Sequence, residues 1–194
     1  MKILLDNGHG VDTPGKRSPI WKDGSQLFEY EFNRDIVNRI AKGLSSLGIP
    51  FAVLVPEIKD ISLPKRCTRV NTYASKEKCL LISVHANAGG GNGFEVYTTI
   101  GKTKSDGYAS IIAEEFQKEF PTMKLRTDMS DGDVDKESQF YILKNVACPA
   151  VLTENLFMDN EADCIVLMSE KGRMKIAQYH INAIKRIHDG STLG

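Results

Sequence analysis

The sequence predicts an α/β fold, a mostly parallel twisted sheet of about six strands with helices on both faces, of the phosphorylase/hydrolase-like kind. Short apolar runs, such as residues 2–6 and 80–84, alternate with longer segments whose apolar residues recur every three or four positions. That alternation is typical of buried parallel strands covered by amphipathic helices. The chain has 194 residues and no Pro/Ser-rich linker. We therefore predict one domain over residues 1–188, followed by a frayed tail at 189–194.

The individual elements follow from the apolar runs and from the residues that interrupt them. Apolar runs bounded by Gly, Pro or Asn predict strands at residues 2–6, 51–55, 80–84, 93–98, 139–143 and 150–154. Helical spacing predicts helices at residues 29–47, 64–76, 105–120, 160–168 and 171–188. In the first helix Phe32, Ile36 and Ile40 lie on one side, and Gly48 follows as a stop. Pro64 opens the second helix, where its missing N–H is not needed.

Composition narrows the classes of partner. The chain carries 25 basic and 25 acidic side chains, so its net charge gives no reason to expect nucleic acid or an anionic membrane as a partner. The four cysteines occur singly, without a CxxC pair, which disfavours a zinc–thiolate site. The apolar segment at residues 1–5 is too short for a signal peptide or a membrane span. The expectation is a protein made in the cytoplasm without a visible signal peptide.

Polar side chains close three of the predicted strands. His9 and His85 follow two apolar runs, and Glu154 ends a third. In open α/β sheets, ligands bind outside the carboxyl ends of the strands. A catalytic zinc ion typically has three protein ligands and one open position, so the two histidines need a His, Asp or Glu beside them. Glu29 and Glu31, in the first turn of the first long helix, both qualify, and spacing barely separates them.

Glu154 is suited to a different task. At the end of an apolar strand its carboxylate would be partly buried, and a base so placed can take a proton from a metal-bound water. The alternative is a structural ion pair with a lysine or arginine. His180 and His188 lie far from these motifs on the last predicted helix, so we expect them to be surface or capping residues.

The motifs together resemble the zinc-dependent N-acetylmuramoyl-L-alanine amidases, cell-wall hydrolases of the two-histidine, one-glutamate type. The similarity covers nearly the whole chain in order, through segments 5–10, 29–33, 63–66, 82–87, 140–144 and 149–157. Departures remain: Lys144 stands where an arginine is usual, and Asn155-Leu156 replaces a more typical small-residue pair. These departures spare the predicted ligands.

The resemblance implies a catalytic amidase domain with one Zn²⁺ per chain. It selects Glu29 over Glu31 as the ligand beside His9 and His85, and it makes Glu154 the catalytic general base. The implied substrate is peptidoglycan, cut between N-acetylmuramic acid and L-alanine. The predicted substrate-binding residues are Asn87, Arg66 and Asn155.

The same resemblance sets expectations for the biology. The enzyme would be a lysis enzyme of a phage or mobile element, or an autolysin. It would act on the cell wall after release or export, as a monomer, without nucleic-acid or membrane partners. Two alternatives stay open: a zinc peptidase or deacylase acting on another amide, and a non-catalytic domain that binds cell wall. The presence of Glu154 together with three candidate ligands argues against the second.

Overall fold

The computed structural model describes residues 1–130 and 132–192. The strands are β1 (Lys2–Asn7), β2 (Phe51–Val53), β3 (Cys79–Asn87), β4 (Glu95–Thr98), β5 (Lys136–Glu137) and β6 (Ala150–Phe157). The helices are α1 (Glu29–Ser46), α2 (Leu63–Ala74), α3 (Lys104–Glu119), α4 (Tyr141–Lys144), α5 (Glu161–Met168) and α6 (Glu170–Thr192).

One sheet organises the described chain. Its six strands follow the order β2-β1-β3-β6-β4-β5, and β2, β1, β3 and β6 run parallel to one another. β4 pairs antiparallel with β6, and β5 pairs parallel with β4. The prediction of a mostly parallel sheet of about six strands is therefore confirmed. The carboxyl ends of β1, β3 and β6 lie side by side at one edge.

The two faces of the sheet are covered to different extents. On one face, Leu5 and Val84 pack into a large core with residues of α1, α3, α5 and α6. On the other face, Leu81 and Leu152 pack into a smaller core against α2 and α4. Because side chains alternate along a strand, His85 shares this second face with Leu81. The polar ends of β3 and β6 therefore lie on the less covered side of the sheet.

One predicted strand is wrong. Residues 139–143 were expected to be extended, but the segment forms the short helix α4, and the fifth strand of the sheet is β5 instead. Ile142 and Leu143 are adjacent and both buried in the smaller core, which fits a helical turn and not the alternation of a half-buried strand. A four-residue apolar run does not distinguish the two by its periodicity.

The ends of the chain's last element also differ from expectation. α6 continues to Thr192, four residues beyond the predicted end at His188. The rest of the predicted tail, residues 193–194, lies outside the described residues. Among the helices that the structure describes, none combines the length and apolar character that crossing a bilayer requires.

β6 contains an irregularity directly after Glu154. His85 pairs with Glu154, whereas Asn87 pairs with Phe157, so β6 holds one residue more than β3 over this interval. Leu156 has a φ of 62°, in the left-handed region that few non-glycine residues adopt. An extra residue bends a strand and re-aims its side chains, which is the reason why such bulges are common beside functional sites.

Candidate metal centre and active site

Three candidate ligands converge at the edge of the sheet. His9 follows β1, Glu29 opens α1, and His85 lies near the end of β3. The Oε1 atom of Glu29 lies 3.4 Å from His9 Nε2 and 3.1 Å from His85 Nδ1. The ligand atoms of the three residues all lie within 4.8 Å of one another. Within the described ranges, no other group of three His, Cys, Asp or Glu side chains has this arrangement.

Helix α1 fixes both Glu29 and the backbone that carries His9. His9 has a φ of 64°, a left-handed conformation that costs on the order of 1–3 kcal/mol for a non-glycine residue. One turn after Glu29, the amide of Asn33 donates to the Gly8 carbonyl at 3.0 Å, and Arg34 donates to the His9 carbonyl at 2.9 Å. The same helix therefore places the carboxylate ligand and holds the strained histidine in position.

Gly8 is required by close packing at the centre. A Cβ atom at this position would lie 2.0 Å from Cε1 of His85, well inside van der Waals contact. Glycine therefore lets the chain after β1 pass directly against the His85 ring. The two imidazole centroids lie 5.0 Å apart with an interplanar angle of 83°.

The ionisation of Glu29 and His9 favours a bound cation, whereas the raised pKa of His85 means that a cation must displace a proton from it. Burial opposes ionisation of Glu29, but hydrogen bonding with His85 and His9 outweighs it and holds the Glu29 pKa well below its usual range. Burial lowers the pKa of His9 although Glu29 partly offsets it. For His85 the effect of burial is exceeded by that of the Glu29 carboxylate, so its pKa is raised. An ionised carboxylate and a neutral imidazole are the forms that bind metals.

The types of ligand atom and one buried oxygen without a hydrogen-bond partner in the described chain both fit a zinc ion. Two imidazoles and one carboxylate form a common ligand set of catalytic zinc, which keeps a fourth position open. The second carboxylate oxygen of Glu29, Oε2, is buried without a hydrogen-bond partner among the described residues, and Lys16 Nζ lies 3.9 Å from it, beyond hydrogen-bond distance. Buried polar atoms normally have partners, so this oxygen is accounted for if a cation lies beside it.

Glu154 lies on the strand next to His85 and directly opposite it in the register. Burial raises the pKa of Glu154 to about 7, while His85 lowers it and Glu29 raises it further. Its Oε2 atom is buried and lacks a hydrogen-bond partner in the described chain. None of the ion pairs among the described residues involves Glu154, so the structural ion pair considered as its alternative role is not formed there. A partly buried carboxyl group with a pKa near neutrality can both accept and donate a proton.

A second buried carboxylate, Glu95, lies opposite Glu154 on the other side. Its Oε1 accepts hydrogen bonds from Arg126 Nε at 2.7 Å and Lys136 Nζ at 2.6 Å. Its Oε2 accepts from Asn87 Nδ2 at 2.7 Å and from the Tyr97 hydroxyl at 2.8 Å. Burial acts to raise the Glu95 pKa, but these donors outweigh it and lower the pKa.

Sequence reasoning missed this cluster of Glu95, Tyr97, Arg126 and Lys136. One signal was present, because Glu95 interrupts the apolar residues of the predicted strand at 93–98. A carboxylate inside an apolar strand is rarely buried without partners. Nothing in the spacing shows that two of those partners, Arg126 and Lys136, come from 31 and 41 positions away.

The predicted substrate-binding residue Arg66 has a structural position. Its guanidinium is buried and donates to Asp6 Oδ1 at 2.8 Å, Asp60 Oδ1 at 2.7 Å and the Asn7 carbonyl at 3.0 Å. Its Nε donates to the Ile61 carbonyl at 2.7 Å. These acceptors occupy the guanidinium, so the geometry favours a role in holding the end of β1 over direct contact with substrate.

The other two predicted substrate-binding residues, Asn155 and Asn87, differ from each other in burial. Asn155 is buried, its Nδ2 donates to the His85 carbonyl at 2.8 Å, and its Oδ1 accepts from the Tyr179 hydroxyl. It therefore supports His85 from behind, and its predicted contact with substrate is not supported by this placement. Asn87 is only half-buried and belongs to the Glu95 cluster, so its contact with substrate stays a prediction.

A cavity of about 250 Å³ opens beside the candidate ligands. It is lined by Asp6, Gly8, His9, Thr13, Asp60, Ile61, Leu63, Arg66, His85 and Ile142. Two larger cavities of about 610 and 640 Å³ lie around Lys2 and Cys79, and contain none of the candidate catalytic groups. The smaller cavity is therefore the one that combines a concave shape with the candidate ligands.

His180 is not a surface residue as the sequence suggested. It is wholly buried in α6, where Nδ1 faces the Ile176 carbonyl at 2.8 Å and Nε2 faces the Thr153 hydroxyl at 3.1 Å. Burial lowers the pKa of His180 to about 4, so it is neutral in the folded protein at neutral pH. Its hydrogen bond with Thr153 joins α6 to β6 at the residue before Glu154.

Comparison with known proteins gives this arrangement a family. Residues 3–186 match the family model described as N-acetylmuramoyl-L-alanine amidase. The chain is 30% identical over 190 residues to the N-acetylmuramoyl-L-alanine amidase CwlM of Bacillus licheniformis, covering 96% of this chain and 68% of the relative. It is 31% identical over 194 residues to an endolysin of Bacillus phage SPP1, covering 95% and 65% of the two chains.

Solved structures agree with the fold. The crystal structure of an N-acetylmuramoyl-L-alanine amidase from Clostridium difficile 630 superposes with a TM-score of 0.81 at 22% identity, covering 97% of this chain and 96% of that one. This likeness shows a shared fold. The match to the family model is what shows the family. The chain belongs to the N-acetylmuramoyl-L-alanine amidase family.

Proposed function

We propose that this chain hydrolyses the amide bond between N-acetylmuramic acid and L-alanine in peptidoglycan, with one zinc ion held by His9, Glu29 and His85. The observation that carries the proposal is the convergence of these three side chains one strand away from Glu154, a partly buried carboxyl group without an ion-pair partner in the described chain. A zinc site with an adjacent carboxyl group is the arrangement that amide hydrolysis by activated water requires.

The ion and the chain have separate tasks. When bound, zinc would polarise the amide carbonyl and lower the pKa of water to about 7. Glu29 supplies the single negative charge of the ligand set, so the site keeps a net positive charge. Asn33 and Arg34 hold the His9 backbone, and Asn155 holds the carbonyl of His85.

Glu154 moves the proton. Its carboxylate takes a proton from the attacking water and delivers a proton to the leaving amine, as a general base that then becomes a general acid. The pKa of about 7 that burial produces fits both duties at neutral pH, because the two protonation states are then nearly equally accessible. A nearby cation would lower this pKa, so the zinc-loaded protein should have an ionised Glu154 over more of the neutral range.

The direct test is the identity of the bond that is cut. Purified sacculi are incubated with the zinc-loaded protein, and the products are analysed by mass spectrometry. The expected products are intact glycan strands and stem peptides with a free amino-terminal alanine. A chelator should abolish their release, and added zinc should restore it.

The same experiment separates the alternatives. Cleavage within the stem peptide would favour a zinc peptidase, and release of acetate would favour a deacylase. Sedimentation with sacculi without any product would indicate a wall-binding domain. Products cut between sugars would contradict the amidase proposal.

The biological setting is a further part of the proposal. Relatives include a phage endolysin and a bacterial amidase, so the chain would act on the wall either as a lysis enzyme or as an autolysin. Lysis that requires co-expression of a membrane pore would favour the first, and activity on growing cells without one would favour the second. Light scattering after size exclusion tests the expectation of a monomer.

A further inference from the structure

The candidate catalytic groups and Glu95 lie in a fixed order across neighbouring strands of the sheet. His9 follows β1, His85 lies in β3, Glu154 in β6 and Glu95 in β4, and these four strands are consecutive neighbours. Neighbouring strands lie about 4.7–4.9 Å apart. The candidate metal ligands therefore lie on one side of Glu154, and the Glu95 cluster lies on the other.

Proton transfer fixes how the substrate crosses this row. The amide carbonyl must lie towards the His9, Glu29 and His85 side, whereas the amide nitrogen must lie within hydrogen-bond reach of Glu154. The nitrogen belongs to the first alanine of the stem peptide. The stem peptide therefore continues from Glu154 towards β4, and the sugar lies towards β1 and the 250 Å³ cavity.

The β4 side has an excess of positive charge that faces outward. Glu95 carries one negative charge and contacts two cations, Arg126 and Lys136. Glu95 is 4% exposed, whereas the side chains of Arg126 and Lys136 are 29% and 25% exposed. Within the cluster two positive charges therefore meet one carboxylate, and the exposed Asp128 is a further acidic group that interacts with Lys136.

Arg126 is held in an orientation that keeps its outer nitrogens available. Its Nε donates to Glu95, and its Cζ lies 5.3 Å from the centre of the Phe157 ring. Its Nη1 and Nη2 atoms have no hydrogen-bond partner among the described residues. A fixed guanidinium with two free nitrogens matches the geometry of a carboxylate.

We propose that Arg126 and Lys136 form a subsite for a carboxylate of the stem peptide, at the residue that follows the first alanine. This inference rests on the proposed function. The distance agrees with it, because one extended residue spans about 3.3–3.6 Å and the cluster begins one strand, about 5 Å, beyond Glu154. Glu95 acts as the positioning residue that gathers the two cations.

A pair of small substrates tests the proposal. Both are N-acetylmuramoyl-L-alanyl-D-glutamate compounds whose γ-carboxyl group is amidated; one has a free α-carboxylate and the other carries an α-amide. The wild-type protein should cleave the acid with a kcat/KM at least about 10-fold above that of the amide. Arg126→Gln should lower kcat/KM on the acid about 10- to 100-fold, mainly through KM, as expected for loss of a charge-assisted hydrogen bond, and should leave the amide nearly unchanged.

The matched control is Lys124→Gln, which removes an exposed positive charge two residues earlier in the chain. It should keep the preference for the acid. Lys136→Gln provides a second variant in case Arg126→Gln folds poorly, and melting temperature and zinc content identify a folding defect in either. Equal cleavage of acid and amide by the wild-type protein would overturn the subsite.

Binding gives a readout that needs no metal. Calorimetry measures the affinity of chelator-treated wild-type protein for the dipeptide L-alanyl-D-glutamate, which resembles the peptide product. Arg126→Gln should weaken this binding about 10-fold or more, and Lys124→Gln should not. Wild-type and Arg126→Gln proteins with equal affinity would contradict the subsite even if the sacculus assay supports the amidase. Failure to release stem peptides from sacculi would instead contradict the proposed function.

Discussion

Two buried carboxylates flank Glu154, and their surroundings are opposite. Glu29 contacts two imidazoles and leaves its Oε2 without a hydrogen-bond partner in the described chain. Glu95 has both oxygens satisfied by four donors, two of which are permanent cations. Both carboxyl groups have lowered pKa values despite their burial.

The difference shows how the same residue type serves two purposes. At Glu29 the protein supplies acceptors and a cation, Lys16, at 3.9 Å from Oε2 and beyond hydrogen-bond distance, which favours the binding of a further cation. At Glu95 the protein supplies more positive charge than the carboxylate needs, which is the condition for binding an anion. Glu154 lies between them, without a charged partner of its own in the described chain, and can therefore change its protonation state.

The largest effect is expected when the carboxylate of Glu29 is removed. Glu29→Gln keeps the shape of the side chain but loses the charge, so the variant should fail to retain zinc and should show no detectable release of stem peptide. Metal content by mass spectrometry after dialysis and the sacculus assay measure the two effects. The control is Glu31→Gln, since Glu31 is exposed two residues later in the same helix.

This control also decides between the two glutamates that spacing alone did not separate. If Glu31→Gln lost zinc and Glu29→Gln retained it, the assignment of the ligand would be reversed.

The next largest effect is expected at Glu154, which lies between Glu29 and Glu95. Glu154→Gln should lower turnover about 10²- to 10⁴-fold, the usual contribution of general acid–base catalysis, while zinc content stays near that of the wild type. The wild-type kcat/KM should fall as pH drops through a midpoint at or below about 7, because the base must be unprotonated and its pKa is about 7 without a metal. Zinc should move this midpoint lower.

The pH profile of the variant provides the contrast. The residual activity of Glu154→Gln should lack this acid limb, whereas Glu161→Gln, at an exposed glutamate in α5, should reproduce the wild-type profile. An acid limb with the same midpoint in Glu154→Gln would show that another group is the base.

A smaller effect is expected at Glu95, whose two carboxylate oxygens both accept hydrogen bonds. Glu95→Gln leaves Arg126 and Lys136 close together without their shared anion, and should lower the free energy of unfolding by about 1–3 kcal/mol. Zinc content should not change, because Glu95 lies on the far side of Glu154. Urea unfolding measures the loss.

Asp35→Asn is the comparison, because Asp35 pairs with Arg39 and Arg173 at a more exposed position. Its loss should be about 1 kcal/mol or less. Equal losses in the two variants would show that the burial of Glu95 adds nothing to its ion pairs.

The smallest effect concerns His180, a buried histidine that does not form an ion pair with a carboxylate among the described residues. His180 has a pKa of about 4 in the folded protein and an ordinary value of 6.5 when unfolded, so between these values the unfolded state binds more protons. Stability should be complete above pH 6.5 and should decline as pH falls towards 4. The expected loss is about 1 kcal/mol between pH 6.5 and 5.5, from the value of one pKa shift unit.

Urea unfolding of the wild type and of His180→Gln at the two pH values isolates this contribution, since other titrating groups affect both proteins. The difference between the two proteins should shrink by about 1 kcal/mol as the pH falls from 6.5 to 5.5. A constant difference would mean that His180 titrates normally. Such a result would remove the contrast with His85, whose neighbouring Glu29 raises its pKa.

The sequence predicted the fold better than it predicted the contacts. Long periodic segments such as α1 and buried runs such as β3 were placed correctly, because their patterns extend over enough residues to be unambiguous. The four-residue run that forms α4 was too short for its periodicity to decide. His9 and His85 were proposed as ligands from their positions at strand ends, and the resemblance to the family selected Glu29 over Glu31. The structure places His9, Glu29 and His85 together.

The order of residues along the chain thus determined which groups reach the carboxyl edge of the sheet: two histidines and two glutamates carried there by β1, β3, β6 and α1. Strand periodicity and the rule for parallel sheets suffice for that, since both act over neighbouring residues. Only the tertiary structure decided how those groups are completed. Arg126 and Lys136 reach Glu95 from 31 and 41 positions away, and Arg66 and Asn155 turn inward. Strand order and burial set these contacts, and neither can be obtained from local spacing.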